Sequence, residues 1–192
     1  MKLILASASP RRSELLRNAG IEFSVEPAHV PEQAEPAELP LAYAKRLARD
    51  KANAVFARHP GDVVLGADTI VVADEHLLEK PVNDADAARM LRLLSGRSHQ
   101  VITGVCVIAP GFEQVEAEAT DVRFSELTDA EVNAYVATRE PMDKAGAYAI
   151  QGVASRWVER IDGCYFNVVG LPVPRVYRML RILEAQTGSK VV

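Results

Sequence analysis

Arg11 and Arg12 follow Ser7, Ser9 and Pro10, and two adjacent guanidiniums behind a pair of hydroxyls are suited to gripping an anion. Guanidinium forks match phosphate oxygens two at a time, and a helix starting at Pro10 would add its N–H groups to the same grip. Asp68 lies in Val63-Val64-Leu65-Gly66-Ala67-Asp68-Thr69-Ile70-Val71-Val72, a carboxylate set among apolar strand residues. Such a charge must be paired, metal-bound or protonated to avoid a penalty of several kcal/mol. Glu79-Lys80-Pro81 adds an acid and a cation at a strand end. Asp143-Lys144 precedes a small-residue segment that ends in Gln151-Gly152, and a carboxamide, donating and accepting together, can read the edge of a nucleobase.

Together these are the parts of a metal-dependent phosphoryl enzyme: cations for phosphates, carboxylates for Mg²⁺, and one carboxylate for a water. Taken singly, each has an ordinary structural reading. The arginines could be solvated, Asp68 could satisfy a turn, Lys51 could lie on a solvated helix face, and the Gly146 segment could be a close strand packing site. The chain has no GxxxxGK[ST] and no GxGxxG opening a helix, which disfavours the usual mononucleotide folds. The residues alone do not fix which phosphorus is attacked.

Several elements must hold these groups in place. Residues 3–6 read as a buried strand, followed by a helix with Ser9 as its cap, Pro10 in its first turn and a stop at Asn18 and Gly20. Residues 21–25 alternate as a strand, and residues 26–40 form an acidic, proline-containing loop. Leu41, Ala44, Leu47, Ala48, Ala52 and Val55 recur at helical spacing, and the helix over 41–58 ends at His59-Pro60-Gly61. Residues 62–74 read as a long strand with a polar centre, and 77–81 as a short strand or turn. Residues 83–95 read as a helix closed by Gly96. Two long β-runs, 98–109 and 112–124, meet at Pro110-Gly111 and predict an antiparallel hairpin. Thr128 and Glu131 form a capping box for a helix over 130–138. Residues 145–151, 153–160 and 164–169 read as strands, and 174–185 as a last helix. Helices interleaved with long strands predict a mixed α/β (α+β) fold, a long twisted mixed sheet flanked by helices, in a single domain over 1–192.

The 192 residues carry 48% hydrophobic and 25% charged residues with a net charge of -4, an ordinary globular balance. An acidic total argues against a nucleic acid polymer as partner, while leaving room for a local basic pocket that takes a small polyanion. No leader and no run of about 18 apolar residues appears, so a membrane is not expected and the cytoplasm is the default. Cys106 and Cys164 lack metal-ligand spacing and read as free thiols. The hairpin around Pro110-Gly111 is expected to offer a homodimer edge.

The chain resembles the Maf-like nucleoside triphosphate pyrophosphatases, distant fold relatives of the inosine triphosphate pyrophosphatases. The resemblance runs from Leu3 to about Leu180. It rests on Ala6-Ser7-Ala8-Ser9-Pro10-Arg11-Arg12, Gly66-Ala67-Asp68-Thr69-Ile70-Val71, Glu79-Lys80-Pro81, Leu94-Ser95-Gly96-Arg97-Ser98-His99, Thr103-Gly104-Val105, Asp143-Lys144-Ala145-Gly146, Ile150-Gln151-Gly152 and Val169-Gly170-Leu171-Pro172. It implies two lobes with a cleft. It also implies cleavage of a nucleoside triphosphate between the α and β phosphates with a divalent cation, Mg²⁺ or Mn²⁺. By resemblance Asp68 is the proton acceptor for the attacking water, and Arg11, Thr69 and Gln151 govern substrate choice. Ser7, Arg11, Arg12, Lys51, Lys80 and Lys144 would contact phosphates, and Glu32, Glu79 and Asp143 would hold the metal. The Asp68-Thr69 pair and Ile150-Gln151-Gly152 resemble the dTTP/UTP branch. The alternatives are the 7-methyl-GTP branch, and a nucleotide-binding regulator of septum formation without turnover.

Overall fold

The computed structural model describes all 192 residues. Its apolar runs become strands of one sheet. β1 (Leu3–Leu5) pairs in parallel with β2 (Ser24–Val25) on one side and β3 (Val63–Ala73) on the other, with Leu3, Ile4 and Leu5 opposite Val63, Val64 and Leu65. β4 (His76–Leu78) turns back antiparallel on β3. β5 (Ser98–Ala109) and β6 (Phe112–Phe124) are hydrogen-bonded neighbours joined only by Pro110 and Gly111. So short a link admits only antiparallel pairing, as the sequence predicts. β7 (Val158–Asp162) completes the order β2-β1-β3-β5-β6-β7, antiparallel on β6. The result is a seven-stranded mixed sheet with helices flanking it, not closed into a barrel.

The chain divides into two compact units. Unit 1 comprises Met1–Asp68, Thr103–Glu118 and Gly170–Val192; unit 2 comprises Thr69–Ile102 and Ala119–Val169. In unit 1, α1 (Pro10–Asn18) buries Leu15 and Leu16, and α2 (Pro40–Phe56) buries Tyr43, Ala44, Leu47, Ala48, Ala52 and Val55. α6 (Val173–Thr187) buries Val176, Met179, Leu180 and Leu183. Ala48, Ala52 and Val55 share a core with Ile4, Ala6, Val64, Cys106 and Ile108. No helix is long and apolar enough to cross a membrane.

The small residues of α2 explain why it lies so near the sheet. A Cβ on Gly66 would sit 2.1 Å from the Ala48 carbonyl oxygen, and one on Gly104 would sit 2.0 Å from that of Ala44. Glycine on two strands against an alanine stripe on the helix lets backbone meet backbone. The space that Gly66 leaves beside the strand is filled by the helix backbone itself.

In unit 2, α3 (Asp84–Leu94) packs on α4 (Asp129–Ala137). The Asn83 side chain accepts from the Asp86 amide at 2.9 Å to start α3. Thr128 and Glu131 make both hydrogen bonds of the capping box that starts α4.

Three strand expectations fail here. Residues 145–151 form a 3₁₀ turn over Ala145–Ala147 and then a tight turn, because Gly146 takes φ +69, which no strand tolerates. Val153–Trp157 is a 3₁₀ helix, and strand begins only at Val158. The segment after Cys164 is a short helix, α5 (Tyr165–Val169), because its amides bond back to the Cys164 carbonyl. Of residues 21–25 only Ser24 and Val25 are strand. Ser9 precedes α1 without a side-chain cap bond; its amide instead donates to Ser7 Oγ at 3.2 Å.

Candidate active site

In unit 1 the loop between β1 and α1 carries Ser7, which is buried, and helix α1 turns Arg12 inward and leaves Arg11 half-buried. Arg12 donates from Nε to the Gly170 carbonyl at 2.9 Å. Its Nη1 donates to Ser7 Oγ and to the Ala67 carbonyl, both at 2.9 Å. Arg12 thus ties the loop to the residue preceding Asp68. Burial lowers its pKa, a shift that the carboxylates of Asp68 and Glu32 oppose and Arg11 reinforces. The two adjacent arginines differ in setting: Arg12 is built into the protein, and Arg11 is nearer the solvent.

Lys51 and Asp68 form the centre of this unit. Helix α2 places Lys51 three residues after Ala48, on the face pressed to the sheet, and its exposure is only 7%. Its Nζ lies 2.6 Å from Asp68 Oδ1 and 2.6 Å from Glu32 Oε1. The solvated-face reading of Lys51 is excluded by this burial. Asp68, also 7% exposed, is paired, as a carboxylate in an apolar strand must be. Glu32 reaches the pair from the acidic loop.

The remaining residues lie in unit 2. Thr69 follows Asp68 on β3 and is half-buried; Glu79 and Lys80 are exposed just after β4. Asp143 is exposed at the end of a 3₁₀ turn, Glu140–Asp143, and its Oδ1 accepts from Lys144 Nζ at 2.6 Å. The Gly146 amide donates to the Glu79 carbonyl at 3.2 Å, which joins the Lys144 segment to the Glu79 segment. A Cβ at Gly146 would meet the Val71 side chain at 2.9 Å, so this junction needs glycine for space as well as for φ. Gln151 is exposed at a turn. The site residues read from the sequence thus fall into two groups, Ser7, Arg11, Arg12, Glu32, Lys51 and Asp68 in unit 1, and Thr69, Glu79, Lys80, Asp143, Lys144 and Gln151 in unit 2.

No three His, Cys, Asp or Glu side chains are grouped so as to hold a metal ion by themselves. Mg²⁺ in phosphoryl enzymes takes only one or two carboxylates and completes its shell with phosphate oxygens and water. Glu32 and Asp68 bring carboxylate oxygens to one point that the Lys51 ammonium fills; Glu32, Glu79 and Asp143, the carboxylates expected to hold the ion, are hard oxygen donors of the kind it takes.

Sequence reasoning passed over Tyr135, Glu140 and Tyr148. Tyr135 Oη donates to Glu140 Oε1 at 2.8 Å, and Tyr148 Oη meets His99 Nε2 at 2.8 Å. The rings of His99, Phe124 and Tyr148 pack edge to face. Tyr135 and Tyr148 sit in apolar patterns that read as core, and only the oxygens at their tips depart from that.

The model of the family described as Maf-like protein matches residues 2–183. A dTTP/UTP pyrophosphatase of Koribacter versatilis is 65% identical over 181 residues, 94% of each chain. One of Geobacter sulfurreducens is 55% identical over 96% of this chain and 97% of its own. One of Syntrophomonas wolfei is 52% identical over 98% of both.

Proposed function

The chain belongs to the Maf-like protein family, and on that premise we propose that it is a nucleoside triphosphate pyrophosphatase. It hydrolyses dTTP and UTP to the monophosphate and pyrophosphate, as the names of its relatives indicate for those proteins. The observation that carries the chemistry is the buried Asp68 carboxylate, held at 2.6 Å by Lys51 in the residue next to one that Arg12 grips.

Lys51 engages one Asp68 oxygen, so the other can accept a proton from a water aimed at the α phosphorus. In-line attack puts the leaving pyrophosphate on the far side from that water, where charge builds as the bond from the α phosphorus to the bridging oxygen breaks. Arg11, with the α1 N-terminus and Ser7, would bear that charge, and Arg12 holds the loop in shape. By the resemblance, Lys80 and Lys144 would contact phosphates, and Thr69 and Gln151 would govern the choice of base. A divalent cation, for which Glu32 in unit 1 and Glu79 and Asp143 in unit 2 are the candidate carboxylates, would neutralise phosphate oxygens. The working compartment is the cytoplasm, where triphosphates are made and used.

The test is product analysis of the purified protein with Mg²⁺ on dTTP, UTP, CTP, 7-methyl-GTP and ATP, with pyrophosphate resolved from orthophosphate. Monophosphate and pyrophosphate from dTTP and UTP are expected. Orthophosphate release, or binding without turnover, would replace this reading by a phosphatase or by a regulatory binder.

A further inference from the structure

Gln151 occupies the third position of a tight turn that the Gly152 amide closes by donating to the Ala149 carbonyl at 3.1 Å. Its side chain is exposed, whereas Ile150 before it is buried. An exposed amide can discriminate between bases only if the backbone beneath it is held, because hydrogen bonds weaken steeply with misdirection.

That backbone is held on both flanks by one pair of side chains. Tyr135, 1% exposed on α4, accepts from the Ala149 amide at 3.2 Å and donates the same hydroxyl to Glu140 Oε1 at 2.8 Å. Glu140 Oε1 in turn accepts from the Val153 amide at 3.2 Å. The amides two residues before and two residues after Gln151 thus end on a single hydroxyl-carboxylate pair. The carboxylate lies where a Gly152 side chain would be: a Cβ there would be 2.0 Å from Glu140 Oε1. The pair is itself anchored, since the Tyr135 ring packs edge-on against Trp157 at 5.2 Å and the Glu140 carbonyl accepts from Lys144 Nζ at 2.5 Å.

We propose that Glu140, acting with Tyr135, is a positioning residue for Gln151 that sets the direction of its amide and thereby the base the enzyme prefers. This rests on the reading of Gln151 as the base-reading group.

The test is steady-state kinetics of the full chain on dTTP, UTP, CTP and ATP for wild type, Glu140→Ala, Glu140→Gln and Tyr135→Phe. Glu140→Ala is expected to lower kcat/KM for dTTP and UTP by about 10- to 100-fold, the loss that follows from small misplacements. The loss should appear in KM, with kcat nearly constant and the slow rates on CTP and ATP unchanged, so that selectivity falls. Glu140→Gln keeps a carbonyl oxygen in place and should restore most of the selectivity. Tyr135→Phe keeps the ring packing and removes only the hydroxyl; it should shift selectivity the same way and carries the test if Glu140→Ala does not fold. An equal loss on all four triphosphates, or an unaltered ratio, overturns the proposal. If the wild type prefers another base, the substrate reading fails, and the same ratio, taken with that base in the numerator, still tests the role of Glu140.

Discussion

Lys51 and Asp68 form a buried ion pair between α2 and β3, Nζ to Oδ1 at 2.6 Å, in a place where neither charge could be left alone. Removing one member of such a pair typically costs about 3–5 kcal/mol, because the other stays buried without compensation. Lys51→Met should therefore lower unfolding stability by about that much, and the double variant Lys51→Met with Asp68→Asn should recover most of the loss. Urea unfolding of the three variants measures this. Asp68→Asn alone should also lower turnover by about 10²- to 10⁴-fold, the range of a lost general base. Near wild-type turnover in Asp68→Asn would remove Asp68 from the mechanism.

Gly66 is where α2 touches the sheet, and it governs how far Lys51 reaches. A methyl group there would stand 2.1 Å from the Ala48 carbonyl oxygen and 2.7 Å from the Ala52 amide nitrogen, both backbone atoms that cannot rotate away. Gly66→Ala should destabilise the protein by about 1–3 kcal/mol or more, the usual cost of overpacking. It should also impair turnover by lifting Lys51 from Asp68. Thermal melting and kinetics on the same preparation would show both effects; full stability in Gly66→Ala would mean that α2 moves aside freely.

His99 is buried against Phe124 and Tyr148, and burial lowers its pKa from 6.5 to about 4. The unfolded chain therefore takes up this proton at a higher pH than the folded one, so stability is full above about pH 6.5 and declines as the pH falls toward 4. Between pH 7.5 and 5 the contribution of His99 to that decline is about 2 kcal/mol. His99→Gln, neutral throughout, should lack this component. Denaturant unfolding of both proteins at the two pH values measures the difference, and parallel curves would show that His99 does not titrate on unfolding.

A chelator should abolish pyrophosphate release and added Mg²⁺ or Mn²⁺ should restore it, since carboxylate donors such as Glu32, Glu79 and Asp143 suit hard cations that complete their shell with phosphate oxygens. Undiminished turnover in excess chelator would leave charge neutralisation to Arg11, Lys80 and Lys144 alone.

Much of this was legible in the sequence because it depends on local order. The strand before Ser7, the helix opened by Pro10, the capping box of Thr128 and Glu131 and the hairpin at Pro110-Gly111 each follow from neighbours within a few residues. Asp68 announced itself because a carboxylate in an apolar strand demands a partner wherever the chain goes. Lys51 did not, since the charge pattern of Arg49-Asp50-Lys51 reads as a solvated face. Only the approach of α2 to Gly66 and Gly104 turned that lysine inward.

The segment from Ala145 to Gln151 shows the boundary most clearly. Its small apolar residues suit a strand, and the chain forms turns instead because Gly146 must pass the Val71 side chain and bond to the Glu79 carbonyl. In the same way Tyr135 and Glu140 are unremarked in sequence until folding sets them beneath Gln151. From sequence came the kinds of groups, the order of the elements as far as the helix opened by Thr128, and the family to which they belong. Tertiary structure alone decided which of these groups meet, because burial and hydrogen-bond direction depend on atoms distant along the chain.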